Sequence, residues 1–270
     1  MKRGSVIIIG AGLGGLECGY ILAKNGMQVT VLEHESQVGG CLQTFRRGAA
    51  LFDTGFHYVG ALDEGESLHT LFSYFDLMGL PWKKLDEDCF DEVVIGEDTF
   101  AFANKHQRFY ERMAARFPKE REGLKKYVDF LKGVGDHIFD AFKGDESKRH
   151  TYTLLSRSAY EFLNETIQNP LLRKVLSGTS LKMELNAPTL PLYTFAQIND
   201  SFIRSAWRLR GGGSQIADKL VEGILSMGGE VKTHAAMAEL FEALEKRRFV
   251  LEPRASACCG AVDDLSYAPE

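Results

Sequence analysis

The sequence predicts an α/β protein, a Rossmann-like dinucleotide-binding domain interrupted by a mostly helical α+β insertion. Three observations predict it. An apolar run, Val6-Ile7-Ile8-Ile9, passes straight into Gly10-Ala11-Gly12-Leu13-Gly14-Gly15 and then into a helical pattern. A second glycine-opened unit, Trp207-Arg208-Leu209-Arg210-Gly211-Gly212-Gly213-Ser214, leads into another helix and strand far along the chain. Between the two, strand-and-helix alternation gives way to long stretches of helical periodicity.

The first unit carries the most chemistry. Gly10 allows the tight turn, Gly12 lets backbone N–H groups approach a pyrophosphate, and Gly15 lets the helix pack closely on the strand. Leu16, Tyr20, Ile21 and Leu22 give the helix an apolar face, Asn25-Gly26 stops it, and Gln28 to Glu33 reads as the next strand. Cys18, inside that helix, is expected to pack. Glu33 closes the strand about 20 residues after the glycines, where a carboxylate accepts the two hydroxyls of an adenosine ribose. An acidic group there disfavours a 2′-phosphate, so NADP is the least favoured dinucleotide.

The acidic strand end is followed by Gly39-Gly40-Cys41-Leu42-Gln43-Thr44, and this arrangement resembles the FAD-binding proteins of the amine oxidase and phytoene desaturase superfamily. In that family the glycine doublet passes close to the flavin's ribityl and phosphate part and is commonly followed by Arg, whose place Cys41 takes here. Leu51-Phe52-Asp53-Thr54-Gly55-Phe56-His57-Tyr58-Val59-Gly60 is similar to the family's next strand, which runs beneath the isoalloxazine. The resemblance therefore implies FAD rather than NAD. It implies contacts from Gly10, Gly12, Leu13, Gly14, Gly15, Glu33, His34, Gly39, Gly40, Thr44, Gly55 and His57. His57 is also the one candidate catalytic residue, with a structural histidine as the alternative.

The second unit follows the same family. After the three glycines, Ile216, Leu220, Ile224 and Leu225 share a helix face, Met227-Gly228-Gly229 breaks it, and Glu230 to His234 reads as a strand. In the phytoene desaturase, carotenoid isomerase and retinol saturase branch, this order returns the chain to the FAD domain. Met237 resembles the residue whose backbone meets the adenine edge. The expected organisation is a GR2-type FAD-binding domain in two parts, 1–60 and 205–245, with a substrate domain at 61–204.

Within the insertion, Asp91 to Phe102 reads as two short strands around a Gly-Glu-Asp turn. Arg121 to Phe142 carries an apolar stripe at helical spacing, and Ala159 to Thr166 and Pro170 to Ser177 are expected helices. The stripe is read as core rather than as a membrane-surface helix, because its polar face mixes Asp, Glu and Lys. The many Phe, Tyr and Leu residues suit an apolar ligand.

Composition excludes several classes. A net charge of −5 argues against a nucleic-acid surface, and no apolar run approaches the roughly 18 residues that span a bilayer. A cytoplasmic protein is expected, with peripheral membrane contact for a lipophilic substrate. The cysteines at 18, 41, 89, 258 and 259 form no C-x-x-C pair and the histidines lack ligand spacing, so neither a zinc site nor a disulfide framework is expected.

The resemblance stops near Glu242 to Glu245, where a complete family member continues with further FAD-domain strands and a flavin-covering helix. The stretch 246–270 has no periodicity beyond a strand-like Arg248 to Leu251. A frameshift is one expectation: with one choice of codons for Asp263 to Pro269, reading one base later gives Met-Ile-Ser-His-Met-His-Pro, which resembles the family's strand and His-Pro turn. An unusual native terminus is the other.

The implied activity is hydride transfer at flavin N5 to or from a polyene or isoprenoid chain, as desaturation, saturation or isomerisation. No Ser-His-Asp or paired-carboxylate constellation stands beside it. The alternatives are an amine or porphyrinogen oxidase, or a non-catalytic remnant of the family.

Overall fold

A computed structural model of the chain describes residues 3–139, 145–184 and 189–235. The stretch 246–270, with its strand-like piece and frameshift reading, lies outside them, as do Met237 and Phe142.

Among the described residues, the half that holds the glycine turn is a parallel sheet of three strands covered by two helices. β1 (Arg3–Ile9) and β2 (Met27–Leu32) pair in parallel, Val6 against Val29 through Ile9 against Leu32, and β10 (Glu230–Lys232) joins the far side of β2. β2 is therefore central. Its Val29 and Val31 are buried, as β-branched residues are when a parallel sheet carries helices. Helix α1 (Leu13–Lys24) crosses from β1 to β2, and α9 (Ser214–Ser226) lies beside it on the same face. A Cβ on Gly19 would meet Ile224, Val31 and Ile8 at 3.1 to 3.4 Å, so bare backbone sets how closely α1 approaches both the sheet and α9. Leu16 and Tyr20 from α1 and Ile216, Leu220 and Ile224 from α9 form the core between the helices and the sheet.

Three expected packing roles are corrected, the first that of Ile21, counted on the apolar face of α1 but 40% exposed. Cys18 is exposed on the outer face of α1, because Leu16, Gly19 and Tyr20 occupy the inward positions. Leu225 is 51% exposed, since it is next to Ile224 in sequence and adjacent helix positions point about 100° apart.

The strand expected over 51–60 is divided, and residues 44 to 60 take a different course. They fold as a hairpin of β3 (Thr44–Arg47) and β4 (Ala50–Asp53), a connecting loop, and β5 (Val59–Gly60). β5 and β6 (Trp82–Lys84) flank β9 (Ala206–Leu209) in an antiparallel sheet that joins the two halves. Helix α2 (Ser67–Tyr74) follows β5, and its Phe72, with Phe75 and Leu77 beyond, packs into the core that α1 and α9 share.

The second core belongs to the helical segment. β7 (Asp91–Ile95) and β8 (Asp98–Phe102) form the expected hairpin. Helices α3 (His106–Arg116), α4 (Arg121–Asp136), α5 (Asp145–Leu155), α6 (Ala159–Thr166), α7 (Pro170–Leu176) and α8 (Leu192–Arg204) follow. The α4 stripe is core: Leu124, Tyr127, Val128, Leu131 and Val134 are all buried. The helix is shorter than the stripe, ending at Asp136 after Gly133 and Gly135, residues of low helix propensity. Gly135 has a packing reason, since a Cβ there would lie 1.7 Å from the Asp200 carboxylate of α8. Asp200, 2% exposed, is held by His106 at 2.6 Å and by Arg204 of its own helix. Among the described residues no helix is long and apolar enough to cross a membrane.

Candidate functional site

The site is built where β1 turns into α1. Gly10, at a φ of 93°, makes the turn, and its N–H stays on β2 through the Leu32 carbonyl at 2.7 Å. Gly12 caps α1 with an extended backbone and no side-chain acceptor, which leaves the first N–H groups of the helix without a capping side chain. A Cβ on Gly10, Gly12 or Gly14 would meet nothing within 4 Å, whereas one on Gly15 would sit 2.0 Å from the Gly10 carbonyl oxygen. Gly15 thus closes the turn, and the other three line open space over a helix N-terminus, where anions are favoured.

A second wall comes from the glycine doublet. Gly39 forms a parallel bridge with Gly12, and its N–H donates to the Ala11 carbonyl at 2.7 Å. Both glycines have positive φ, 106° and 53°. A Cβ on Gly40 would reach Gly12 Cα at 3.4 Å and one on Gly39 would reach Ala217 of α9 at 3.2 Å, so only bare backbone passes easily here. Cys41 is exposed, and its carbonyl faces Gly55.

The carboxylate of Glu33 lies against this turn. Its Oε2 accepts the Ala11 N–H at 2.7 Å and its Oε1 the Glu35 N–H at 3.0 Å. Two backbone donors fix the group, and each oxygen keeps a lone pair for a further donor. His34 is exposed and turned towards Glu35.

A third wall joins residues far apart in sequence. Asp53 accepts the Gly213 N–H at 2.6 Å and one nitrogen of Arg208, while the other Arg208 nitrogen donates to the Phe56 carbonyl. Thr44 Oγ1 is 3.3 Å from Ser214 Oγ. This fastens the 44–56 stretch to the start of α9.

From that wall the chain runs into a pocket of about 350 Å³ whose lining begins at His57 and Tyr58. His57 Nδ1 bonds the Tyr58 carbonyl. Burial, against the pull of that bond and helped by the charges of Lys182 and Arg208, holds the His57 imidazole below its ordinary pKa. Tyr58 donates its hydroxyl to Asp91 at 2.6 Å, and Lys182 reaches both, Asp91 at 2.6 Å and the Tyr58 oxygen at 3.0 Å. Burial and the Asp91 carboxylate push the Tyr58 hydroxyl well above the usual phenol range.

The residues singled out by sequence thus fall in three places. Gly10, Gly12, Leu13, Gly14, Gly15, Glu33, Gly39 and Gly40 surround the start of α1, Thr44 and Gly55 lie on the adjoining wall, and His57 lines the pocket. His34 faces solvent and Met237 is outside the described residues. Sequence reasoning missed Asp53, Arg208, Asp91 and Lys182. Asp53 stood inside its quoted stretch as an isolated charge among apolar and glycine residues, which is a usable signal, whereas Arg208 shared its stretch with Arg210. Asp91 and Lys182 gave none.

Comparison with known proteins agrees with this geometry. A family profile described as an NAD(P)-binding Rossmann-like domain matches residues 8–75. All-trans-retinol 13,14-reductase of Danio rerio is 30% identical over 252 residues, 85% of this chain and 41% of that protein. The lycopene-forming phytoene desaturase of Pantoea ananas is 24% identical over 86% of this chain and 49% of its own. A putrescine oxidase triple mutant superposes with a TM-score of 0.57 at 17% identity, over 87% of this chain and 52% of that one. The chain is thus similar, over most of its own length, to oxidoreductases of the amine oxidase and phytoene desaturase superfamily.

Members of this superfamily are flavoproteins and the homologues are oxidoreductases. The chain spans less than half the length of these curated relatives. The match runs through the helical segment as well as the glycine turn, because it covers 85% of the chain.

Proposed function

We propose that this chain holds FAD and acts as an oxidoreductase on C–C bonds of a lipophilic polyene or isoprenoid substrate, by desaturation, saturation or isomerisation. The observation that carries the reading is the open, glycine-lined start of α1 with the Glu33 carboxylate fastened beside it. The residues present fit the cofactor. Uncapped N–H groups and a helix dipole suit a pyrophosphate, the free lone pairs of Glu33 suit ribose hydroxyls, and the Gly39-Gly40 backbone leaves room for the chain between phosphate and ring.

When bound, FAD supplies hydride acceptance or donation at N5. The protein's residues orient and enclose. Asp53 and Arg208 hold the 53–57 stretch against the return segment, and the pocket beyond it offers a largely apolar wall from Leu68, Leu71, Ile198 and Phe202. His57, neutral near pH 7 because burial lowers its pKa, contributes a hydrogen-bonding edge rather than a charge. The retinol reductase and phytoene desaturase relatives favour a polyene substrate over the amines of the oxidase branch. A peripheral membrane contact has a candidate surface in the β3–β4 hairpin, where Phe45 and Phe52 stack at 5.5 Å, both exposed and beside Arg46 and Arg47. Loss of co-sedimentation with anionic vesicles in the Phe45→Ser, Phe52→Ser double variant is the expected result, and retention removes that assignment.

The test of the main reading is reconstitution. Purified chain incubated with FAD and desalted is expected to be yellow, with flavin absorbance that dithionite bleaches. Colourless protein that takes up no FAD favours the non-catalytic remnant.

A further inference from the structure

Helix α8 ends abruptly, because Ser205 after Arg204 is extended, and the carbonyls of its last turn have no partners further along the helix. Three of them are met from outside. The Ser201 carbonyl accepts the Ala61 N–H at 2.9 Å, and the Ile203 carbonyl accepts the Lys105 N–H at 2.5 Å. Between them, the Phe202 carbonyl accepts the side-chain amide of Asn104 at 2.7 Å.

Each of the three donors is held at a local disadvantage. Ala61 and Lys105 have φ of 55° and 69°, in the left-handed region that residues with a Cβ avoid. Asn104 is fully buried, and turning its amide to Phe202 leaves its own Oδ1 without a hydrogen bond, although buried polar atoms are nearly always paired. Gly60 belongs to the same arrangement, since a Cβ there would collide with the Ser201 carbonyl. Strain at two residues and an unpaired oxygen at a third therefore converge on one helix turn. That turn carries a wall of the pocket, with Ile198, Ser201 and Phe202. The Phe202 ring packs edge-on against Tyr58 at 4.6 Å and His57 at 6.0 Å, so the seat of the turn sets how far Phe202 covers the His57 imidazole.

We propose that Asn104 is a positioning residue for this pocket: its amide fixes the Phe202 carbonyl, and through it the ring that covers His57 and Tyr58. Asn104 does not itself line the cavity. Its part in a reaction rests on the preceding reading, but the placement of the wall does not.

The pH titration of His57, followed by NMR on the full chain with isotope-labelled histidine and no added FAD, tests it. Burial is the largest cause of the low His57 pKa, and the charges that act on the ring, Lys182, Arg208 and Asp91, are the same in every variant used. In Asn104→Leu, which keeps the volume and loses the donor, His57 is expected to titrate at higher pH than in wild type, towards the ordinary imidazole range. Glu120→Ala, which unpairs donors at the start of α7, is expected to weaken the fold and leave that titration where it is. In a Phe202→Leu background, Asn104→Leu is expected to add no further shift, because the two act in series. An unmoved His57 in Asn104→Leu, the same shift in Glu120→Ala, or additive shifts in the double variant overturns the proposal. Should Asn104→Leu fail to fold, hydrogen exchange in wild type decides. The Asn104 side-chain N–H is then expected to exchange about a hundredfold or more slowly than an exposed amide, and exchange at the exposed rate overturns the proposal. Flavin uptake is scored separately on the same proteins. A shifted His57 in a chain that takes up no FAD sinks the oxidoreductase reading alone, and FAD uptake with an unmoved His57 sinks this one alone.

Discussion

Glycines within six positions of one another have opposite jobs at the start of α1. A Cβ on Gly15 would meet protein and one on Gly12 would meet nothing within 4 Å, so alanine at each separates folding from binding. Gly15→Ala is expected to cost about 1 to 3 kcal/mol by overpacking against the Gly10 carbonyl, seen as a lower midpoint in urea. Gly12→Ala is expected to leave the midpoint nearly unchanged and to weaken FAD uptake by roughly tenfold or more, because its Cβ enters the space a phosphate needs. Equal effects of the two on both measurements would remove the distinction. At this scale the sequence was legible wherever chemistry sat in a local run, as in Gly10 to Gly15, Glu33 and Gly39-Gly40. It was silent where partners came from distant segments. Lys182 and Asp91 are 91 positions apart, and neither stands out from ordinary surface charge until the fold joins them beneath Tyr58.

Helix ends carry the next set of consequences. The N-terminus of α7 is capped twice, by Asn169 accepting the Leu171 and Leu172 N–H groups and by the nearly buried Glu120, which accepts the N–H groups of Gln168 and Asn169 at 3.2 and 2.7 Å. Glu120→Ala is expected to destabilise the chain by about 1 to 3 kcal/mol, the cost of leaving buried donors unpaired, measured by chemical denaturation. At the other end of α4, Lys132 and Arg204 hold Asp136 down to a pKa of about 2. A carboxyl depressed on folding adds stability above its unfolded value near 3.9 and loses it as pH falls through the folded value. Asp136→Asn is therefore expected to be less stable than wild type at pH 7, by no more than about 1 kcal/mol for a partly exposed pair, with the gap closing between about pH 4 and pH 2. A gap that is constant over that window contradicts the assignment. Periodicity disclosed the body of α4 from its stripe, but not its end at Asp136. That end depends on Gly135 meeting Asp200, a contact across 65 residues that no local pattern contains.

Across the whole molecule the two cores meet at the β5-β9-β6 sheet, and this explains why the fold class was readable while the seam was not. The class follows from hydrophobic period and glycine turns, both local. The seam follows from β9 reaching back to β5 and β6, and from Ser205 Oγ accepting the N–H groups of Leu62 and Asp63. The parallel sheet also ends abruptly at β1, whose Ile9 is 59% exposed and whose outer edge pairs with nothing among the described residues.

The central position of β2 also bears on how quickly the protein can be made. One neighbour, β1, arrives almost at once, but the other, β10, lies at the far end of the chain, where Gln28 and Gly228 are joined across 200 positions. Closing so long a loop costs entropy before any contact repays it, and such topologies fold slowly. The helical segment, whose contacts close shorter loops than the 200 positions between Gln28 and Gly228, is expected to acquire its circular dichroism first on dilution from urea. FAD capture is expected to lag behind it, because the Gly39 backbone packs close beside Ala217 of α9 in the return segment. Simultaneous recovery of both signals would show that the glycine turn matures without the return segment.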